Sequence, residues 1–112
     1  MTKPIPYSNT YSNKKFVKLY KKADVRIKKE VDERLRIFGK NPHDLGLRNH
    51  ELHEEWEGYR SIDITNDHRA IYKEVQEGEE INAYFVALGT HEELYENPTK
   101  TQEDLPVVME KF

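Results

Sequence analysis

Apolar and polar residues recur with two different periods along this chain, and the period changes near residue 41. Ser12 and Asn13 are both good N-caps and predict a first helix, on which Phe16, Leu19 and Tyr20 fall at i, i+3 and i+4 and form one apolar face. Lys14, Lys15, Lys18, Lys21 and Lys22 cover the rest of that helix. Asp24 reads as the cap of a second helix, with Ile27, Val31, Leu35 and Phe38 at helical spacing and Gly39 and Pro42 as stop signals. A polar loop follows over Asn41–Glu55, and then three strand-like runs. In Glu57–Thr65, Tyr59, Ser61 and Asp63 alternate with Arg60, Ile62 and Ile64. The second run, His68–Val75, carries the β-formers Ile71, Tyr72 and Val75, and the third, Ile81–Leu88, is almost continuously apolar, as suits a buried strand. Thr65-Asn66-Asp67 and Glu77-Gly78-Glu79 are the turn signals between them. Gly89-Thr90 ends the third run, and His91–Tyr95 is expected to form one helical turn.

These elements make an α+β domain: two N-terminal helices packed on one face of a mainly antiparallel sheet of about three or four strands. The N-terminal segment, with Pro4 and Pro6, reads as an arm or an added edge strand. The expected domain spans 1–95. Residues 96–112, with Pro98 and Pro106, read as a loose tail in which Val107, Val108 and Met109 form a short apolar patch able to dock.

A chain of 112 residues fits one domain of the usual size of about 100–150 residues. Charged residues (35%) nearly equal apolar ones (36%), so the core must be modest, and the four Phe, seven Tyr and one Trp have to supply much of it. With no cysteine, disulfide and thiolate chemistry are excluded. No apolar run approaches the roughly 18 residues of a membrane span and no signal-peptide pattern opens the chain, so a cytoplasmic protein without a membrane partner is expected. The net charge of −3 conceals an asymmetry: residues 1–40 hold twelve Lys/Arg against four Asp/Glu, and residues 41–112 six against seventeen. Such a basic block can attract phosphates or be no more than a solvated pair of helix faces. The overall acidity suits work on a partner surface better than on naked nucleic acid.

All five histidines lie between residues 43 and 91, which puts acid–base candidates in the strand half. His50-Glu51-Leu52-His53 has the wrong spacing for a helical zinc pair, so no metal and no cofactor is expected.

Three blocks stand in order: Leu47-Arg48-Asn49-His50-Glu51-Leu52, the run from Glu57-Gly58-Tyr59-Arg60 to Asp67-His68-Arg69-Ala70-Ile71-Tyr72, and Gly89-Thr90-His91-Glu92-Glu93-Leu94-Tyr95. Together they resemble the RelE/ParE superfamily of bacterial toxins, and most closely its YafQ and YoeB branches, over about residues 7 to 95. The resemblance implies a toxin of a type II toxin–antitoxin system: a metal-independent, ribosome-dependent endoribonuclease that cuts mRNA by attack of a 2′-hydroxyl on the adjacent phosphorus. It also implies a cognate antitoxin, with the toxin a monomer within a hetero-oligomeric complex, and the ribosome and mRNA as further partners.

By the same resemblance His50 matches the general base and His91 the catalytic histidine near the end of the YafQ branch, here the candidate acid. Arg69 matches a strand arginine of the RelE and YoeB branches that can clamp a phosphate. Asp67 matches a catalytic aspartate that orients a histidine or contacts a base. Arg60, Asp63 and Tyr95 complete the candidate site as substrate-binding residues. His68, one residue from Arg69, is expected on the opposite sheet face. One departure stands out: Asp63 replaces a histidine of YafQ-like proteins, and a carboxylate there repels phosphate unless Arg60, Arg69 or a histidine pairs with it. Two alternatives remain, a ParE-like toxin that poisons gyrase by binding, and a degenerate relative that only binds an antitoxin.

Overall fold

Asn13 ends the first strand and caps the first helix. In this computed structural model, which describes residues 6–96 and 109–111, β1 is Thr10–Asn13 and α1 is Lys14–Lys22. The Asn13 Oδ1 accepts a hydrogen bond from Phe16 N at 2.8 Å, satisfying one of the orphan donors of the helix start. Asp24 does the same for α2 (Val25–Lys40), accepting from Ile27 N at 3.0 Å. Two helices therefore begin where the caps predict, and their predicted stripes turn inward: Phe16, Val31, Leu35 and Phe38 are buried, with Leu19, Tyr20 and Ile27 packed at the margin.

The strand half forms β2 (His50–Glu51), β3 (Arg60–Asp63), β4 (His68–Glu77) and β5 (Glu80–Thr90), followed by α3 (His91–Glu96) and β6 (Met109–Lys111). These strands and β1 make a six-stranded sheet in the order β2-β3-β4-β5-β1-β6. All neighbours are antiparallel except β1 and β5, which run parallel. A tight hairpin joins β4 to β5, with Gly78 at φ +66, a left-handed backbone that costs glycine little. The N-terminal strand, expected at the sheet edge, instead lies one place in, because Met109–Lys111 pairs with its outer side. The remainder of the expected tail, residues 97–108 and 112, lies outside the described residues.

The alternation in β3 divides the core in two. Ile62 and Ile64 join Phe16, Phe38, Tyr72 and Phe85 under the helices, where Phe38 meets Tyr72 and Phe85 edge-on with centroids 5.0 and 5.2 Å apart. On the far face Tyr59 joins Leu52, Trp56, Ile71, Val86, Ala87 and Leu94. A bulge between Ile71 and Tyr72 sets Ile71 opposite Ala87 and Tyr72 opposite Phe85. It leaves Val86 as the extra residue, so two consecutive residues of β5 reach the far-face core. Trp56, buried like Tyr59 and Tyr72, donates from Nε1 to Leu94 O at 3.0 Å and ties α3 to this second core. Among the described residues no helix is long and apolar enough to cross a membrane.

Candidate active site

Residues directly opposite one another on paired strands point to the same face. His50 lies opposite Ser61, which lies opposite Ile71; Asp63 lies opposite Arg69, which lies opposite Gly89. His50, Ser61, Asp63 and Arg69 consequently share the far face, away from α1 and α2. His91 follows two residues after Gly89 at the start of α3, and its ring meets that of Tyr95 with centroids 4.5 Å apart.

Asp63 and Arg69 are the charged centre of this face, with side chains only 16% and 19% exposed. The Arg69 Nε lies 3.0 Å from Asp63 Oδ1, and its Nη1 donates to the carbonyls of Thr65, Asn66 and His68 at 3.0 to 3.1 Å. The guanidinium thus closes its own β3–β4 turn. Arg48 approaches Asp63 from the other side, Nε to Oδ2 at 3.5 Å. One carboxylate therefore stands between two arginines, at the place where an anionic group would be held.

Tyr95 is half-buried beside them. Burial pushes its hydroxyl above the usual tyrosine range; nearby Arg69 and Ser61 pull it back, and Asp63 adds to the rise. The phenol is accordingly neutral at physiological pH. Ser61 itself is fully buried.

His50 is exposed on the two-residue strand β2, and its Nδ1 lies 2.8 Å from the carbonyl of Arg48. A carbonyl can only accept, so Nδ1 carries the proton and the neutral ring presents an unprotonated Nε2 outward. That is the tautomer a general base needs.

The four-residue segment Thr90–Glu93 fixes where His91 stands. Thr90 Oγ1 accepts from Glu93 N at 3.1 Å, and Glu93 Oε1 accepts from Thr90 N at 2.8 Å. This is a reciprocal capping box, and it makes His91 the first residue of α3. Gly89 leaves room for it: a Cβ there would meet Glu93 Oε1 at 3.0 Å. The Thr-x-x-Glu spacing is the sequence signal for this cap.

Not all seven candidates gather here. Arg60 lies opposite Tyr72 and faces the helix side, where its Nε donates to Asn49 Oδ1 at 2.8 Å and its Nη1 lies 3.5 Å from Glu51. The alternation that puts Asp63 on one face puts Arg60 on the other. Asp67 occupies the turn before β4; its carbonyl accepts from His91 N at 3.0 Å, and the residue borders a cleft shared with Asp24, Lys29 and His68 at the start of α2. His68 also faces that side, its Nδ1 3.3 Å from Thr65 Oγ1. Residues missed from the sequence are Arg48, Asn49 and Ser61, whose relevance comes from pairing across strands. Among the described residues no three His, Asp or Glu side chains gather as a metal-binding group.

A helix pair on a mixed sheet is the architecture of the RelE-superfamily toxins. A YoeB/ParE toxin from Agrobacterium tumefaciens shares the fold at a TM-score of 0.61 and 20% identity, over 74% of this chain and 98% of that one. YafQ from E. coli strain BL21(DE3) aligns at a TM-score of 0.54 and 26% identity, over 78% and 97%. The chain in the E. coli DinJ-YafQ toxin-antitoxin complex aligns at 0.50 and 25%, over 78% and 96%. The family model of YafQ, bacterial toxins of type II toxin–antitoxin systems, matches residues 5–96, and this chain belongs to that family. No curated protein sequence matches it significantly.

Proposed function

We propose that this toxin is a metal-independent endoribonuclease that cuts mRNA on the ribosome in the cytoplasm and is neutralised by a cognate antitoxin. The observation that carries the reading is the row His50, Asp63–Arg69, Tyr95 and His91 on one sheet face, with the His50 Nε2 free to accept a proton. His50 Nε2 takes the 2′-hydroxyl proton as the 2′ oxygen bonds to phosphorus. The bond from phosphorus to the 5′ oxygen breaks, and His91 returns a proton to that oxygen, leaving a cyclic phosphate and a 5′-hydroxyl. β2 lies three strand spacings, about 14 Å, from β5, and the His50 row meets β5 at Ala87, four residues before His91, so base and acid approach from opposite corners of the face. Arg69, with Arg48 beside it, balances charge on the phosphorane-like transition state. Asp67 holds the entry to α3, and Tyr95 offers a ring for a base to stack on.

The ribosome fits the charge distribution. Lys14, Lys18, Lys21 and Lys22 line a shallow groove with Val17 along α1. This patch suits ribosomal RNA, while the net charge of −3 disfavours naked RNA. The E. coli relative solved with DinJ supports an antitoxin partner.

The test is cleavage of ribosome-bound against free mRNA, with His50→Ala, His91→Ala and a 2′-deoxy substitution at the cut site, each with and without EDTA. Cleavage confined to ribosomes, lost in both variants and with the deoxy substrate but kept in EDTA, is the expected result. Full activity in both His variants, or loss with the chelator, contradicts it. A second reading, a toxin relative that binds its antitoxin without cutting RNA, is favoured by Asp63 occupying the arginines. Absence of both growth arrest and mRNA loss on expression would select it, whereas growth arrest without mRNA loss would select a gyrase-directed toxin.

A further inference from the structure

The tautomer of His50 depends on a carbonyl whose direction needs its own support. That carbonyl belongs to the peptide between Arg48 and Asn49. Arg48 has φ 50° and ψ 46°, a left-handed backbone that non-glycine residues hold only where the surroundings over-determine it. β2 is two residues long and cannot supply that constraint.

Asn49 can. Its Nδ2 donates to Pro42 O at 2.8 Å and to Tyr72 Oη at 2.7 Å, and its Oδ1 accepts from Arg60 Nε at 2.8 Å. These partners sit on three separate segments: the loop after α2, β4 and β3. Their chemistry admits one orientation of the amide, because the Pro42 carbonyl only accepts and the Arg60 Nε only donates. The order continues outward. Tyr7 donates to Glu74 Oε2 at 2.7 Å, which leaves Tyr72, 2.9 Å from Tyr7, to donate to it while accepting from Asn49. A chain of aligned donors thus runs from Asn49 to a surface carboxylate on the face opposite the site.

We infer that Asn49 is the positioning residue for His50: its three hydrogen bonds fix the Arg48–Asn49 peptide, and that peptide's oxygen holds the imidazole as the Nδ1–H tautomer with Nε2 free. The inference deepens the proposed function by assigning the residue that prepares the base, and it rests on that reading for its catalytic consequence. The side chain itself touches neither His50 nor the substrate face. Aspartate at 49 offers Arg60 an acceptor but no donor for Pro42 or Tyr72; alanine offers nothing.

The experiment is a long-range proton–nitrogen spectrum of protein carrying ¹⁵N-labelled histidine, in alkaline buffer where the imidazoles are neutral. Wild type is expected to show His50 with a pyrrole-like Nδ1 and a pyridine-like Nε2. In Asn49→Ala and Asn49→Asp that pattern should give way to the averaged or Nε2–H pattern of a free exposed histidine, while the His91 signals stay in place and report an intact fold. The same two variants should cut ribosome-bound mRNA about 10- to 100-fold more slowly at saturating substrate with KM unchanged. If Asn49→Ala does not fold, Asn49→Asp, which keeps the Arg60 contact, decides. A wild-type His50 that is Nε2–H, or variants that keep the wild-type pattern, overturns the inference. Failure of the catalytic reading looks different: His50→Ala would cut mRNA normally while the tautomer still followed Asn49.

Discussion

Asp63 and Arg69 face one another across β3 and β4 with 3.0 Å between Oδ1 and Nε, and this contact occupies one edge of the guanidinium. Nη1 is committed to three turn carbonyls. A side-on fork to phosphate uses Nε together with Nη2, so a phosphate can take that edge only by displacing Asp63. The carboxylate both orients Arg69 and competes with the substrate.

Asp63→Asn should therefore tighten binding of a non-cleavable 2′-deoxy oligonucleotide on the ribosome by about tenfold, since it removes one like charge near the phosphate. It should also cost about 1–3 kcal/mol of folding stability through loss of a charge-assisted hydrogen bond. Unchanged binding would show that the phosphate does not approach Asp63. Arg69→Lys should not restore an Arg69→Ala defect, because an ammonium cannot span the turn carbonyls and a phosphate at once.

The capping box gives a second test. Thr90→Ala and Glu93→Ala each remove half of the reciprocal cap and should each lower stability by about 1 kcal/mol, measured by urea unfolding. Both should slow cleavage more than this loss alone explains, because fraying the first turn of α3 releases His91. Thr90→Ser, which keeps the hydroxyl, should behave nearly as wild type.

Tyr95 separates ring from hydroxyl. Tyr95→Phe keeps the ring against His91 and should stay within about threefold of wild type in substrate affinity, whereas Tyr95→Ala should weaken binding by about 1–3 kcal/mol, the range of base–aromatic stacking. A large defect in Tyr95→Phe would assign the work to the hydroxyl near Ser61 and Arg69 instead.

Alkaline stability follows from buried phenols. Burial raises the Tyr59, Tyr72 and Tyr95 hydroxyls above their ordinary value of about 10. Above that pH the unfolded chain releases protons that the folded chain retains. The unfolded state then binds fewer protons, so stability falls as pH rises, from about pH 10 through the folded values. Tyr59→Phe should flatten this limb in urea midpoints taken between about pH 9 and about pH 11, and a limb of unchanged slope would contradict the assignment.

The sequence by itself determined what acts within a turn or along one strand. Asn13 and Asp24 cap their helices through residues three positions on, and the stripes of Phe16 and of Val31, Leu35 and Phe38 follow from helical geometry. Period-two alternation was enough to separate Asp63 from Arg60 and Arg69 from His68, because a pleated strand leaves no choice of side. The Thr90–Glu93 cap was equally local and legible.

Only the tertiary structure decided which strands meet and what each charge finds there. β1 pairs in parallel with β5 across some seventy residues, Thr10 opposite Ala83, and no local period encodes that partner. Arg48 and Arg69 converge on Asp63, and Pro42, Arg60 and Tyr72 converge on Asn49, because the loop after α2 folds back onto β3 and β4. Hydrogen bonds and ion pairs form over about 3–4 Å, so their partners are fixed only when packing of the two cores brings distant segments into register.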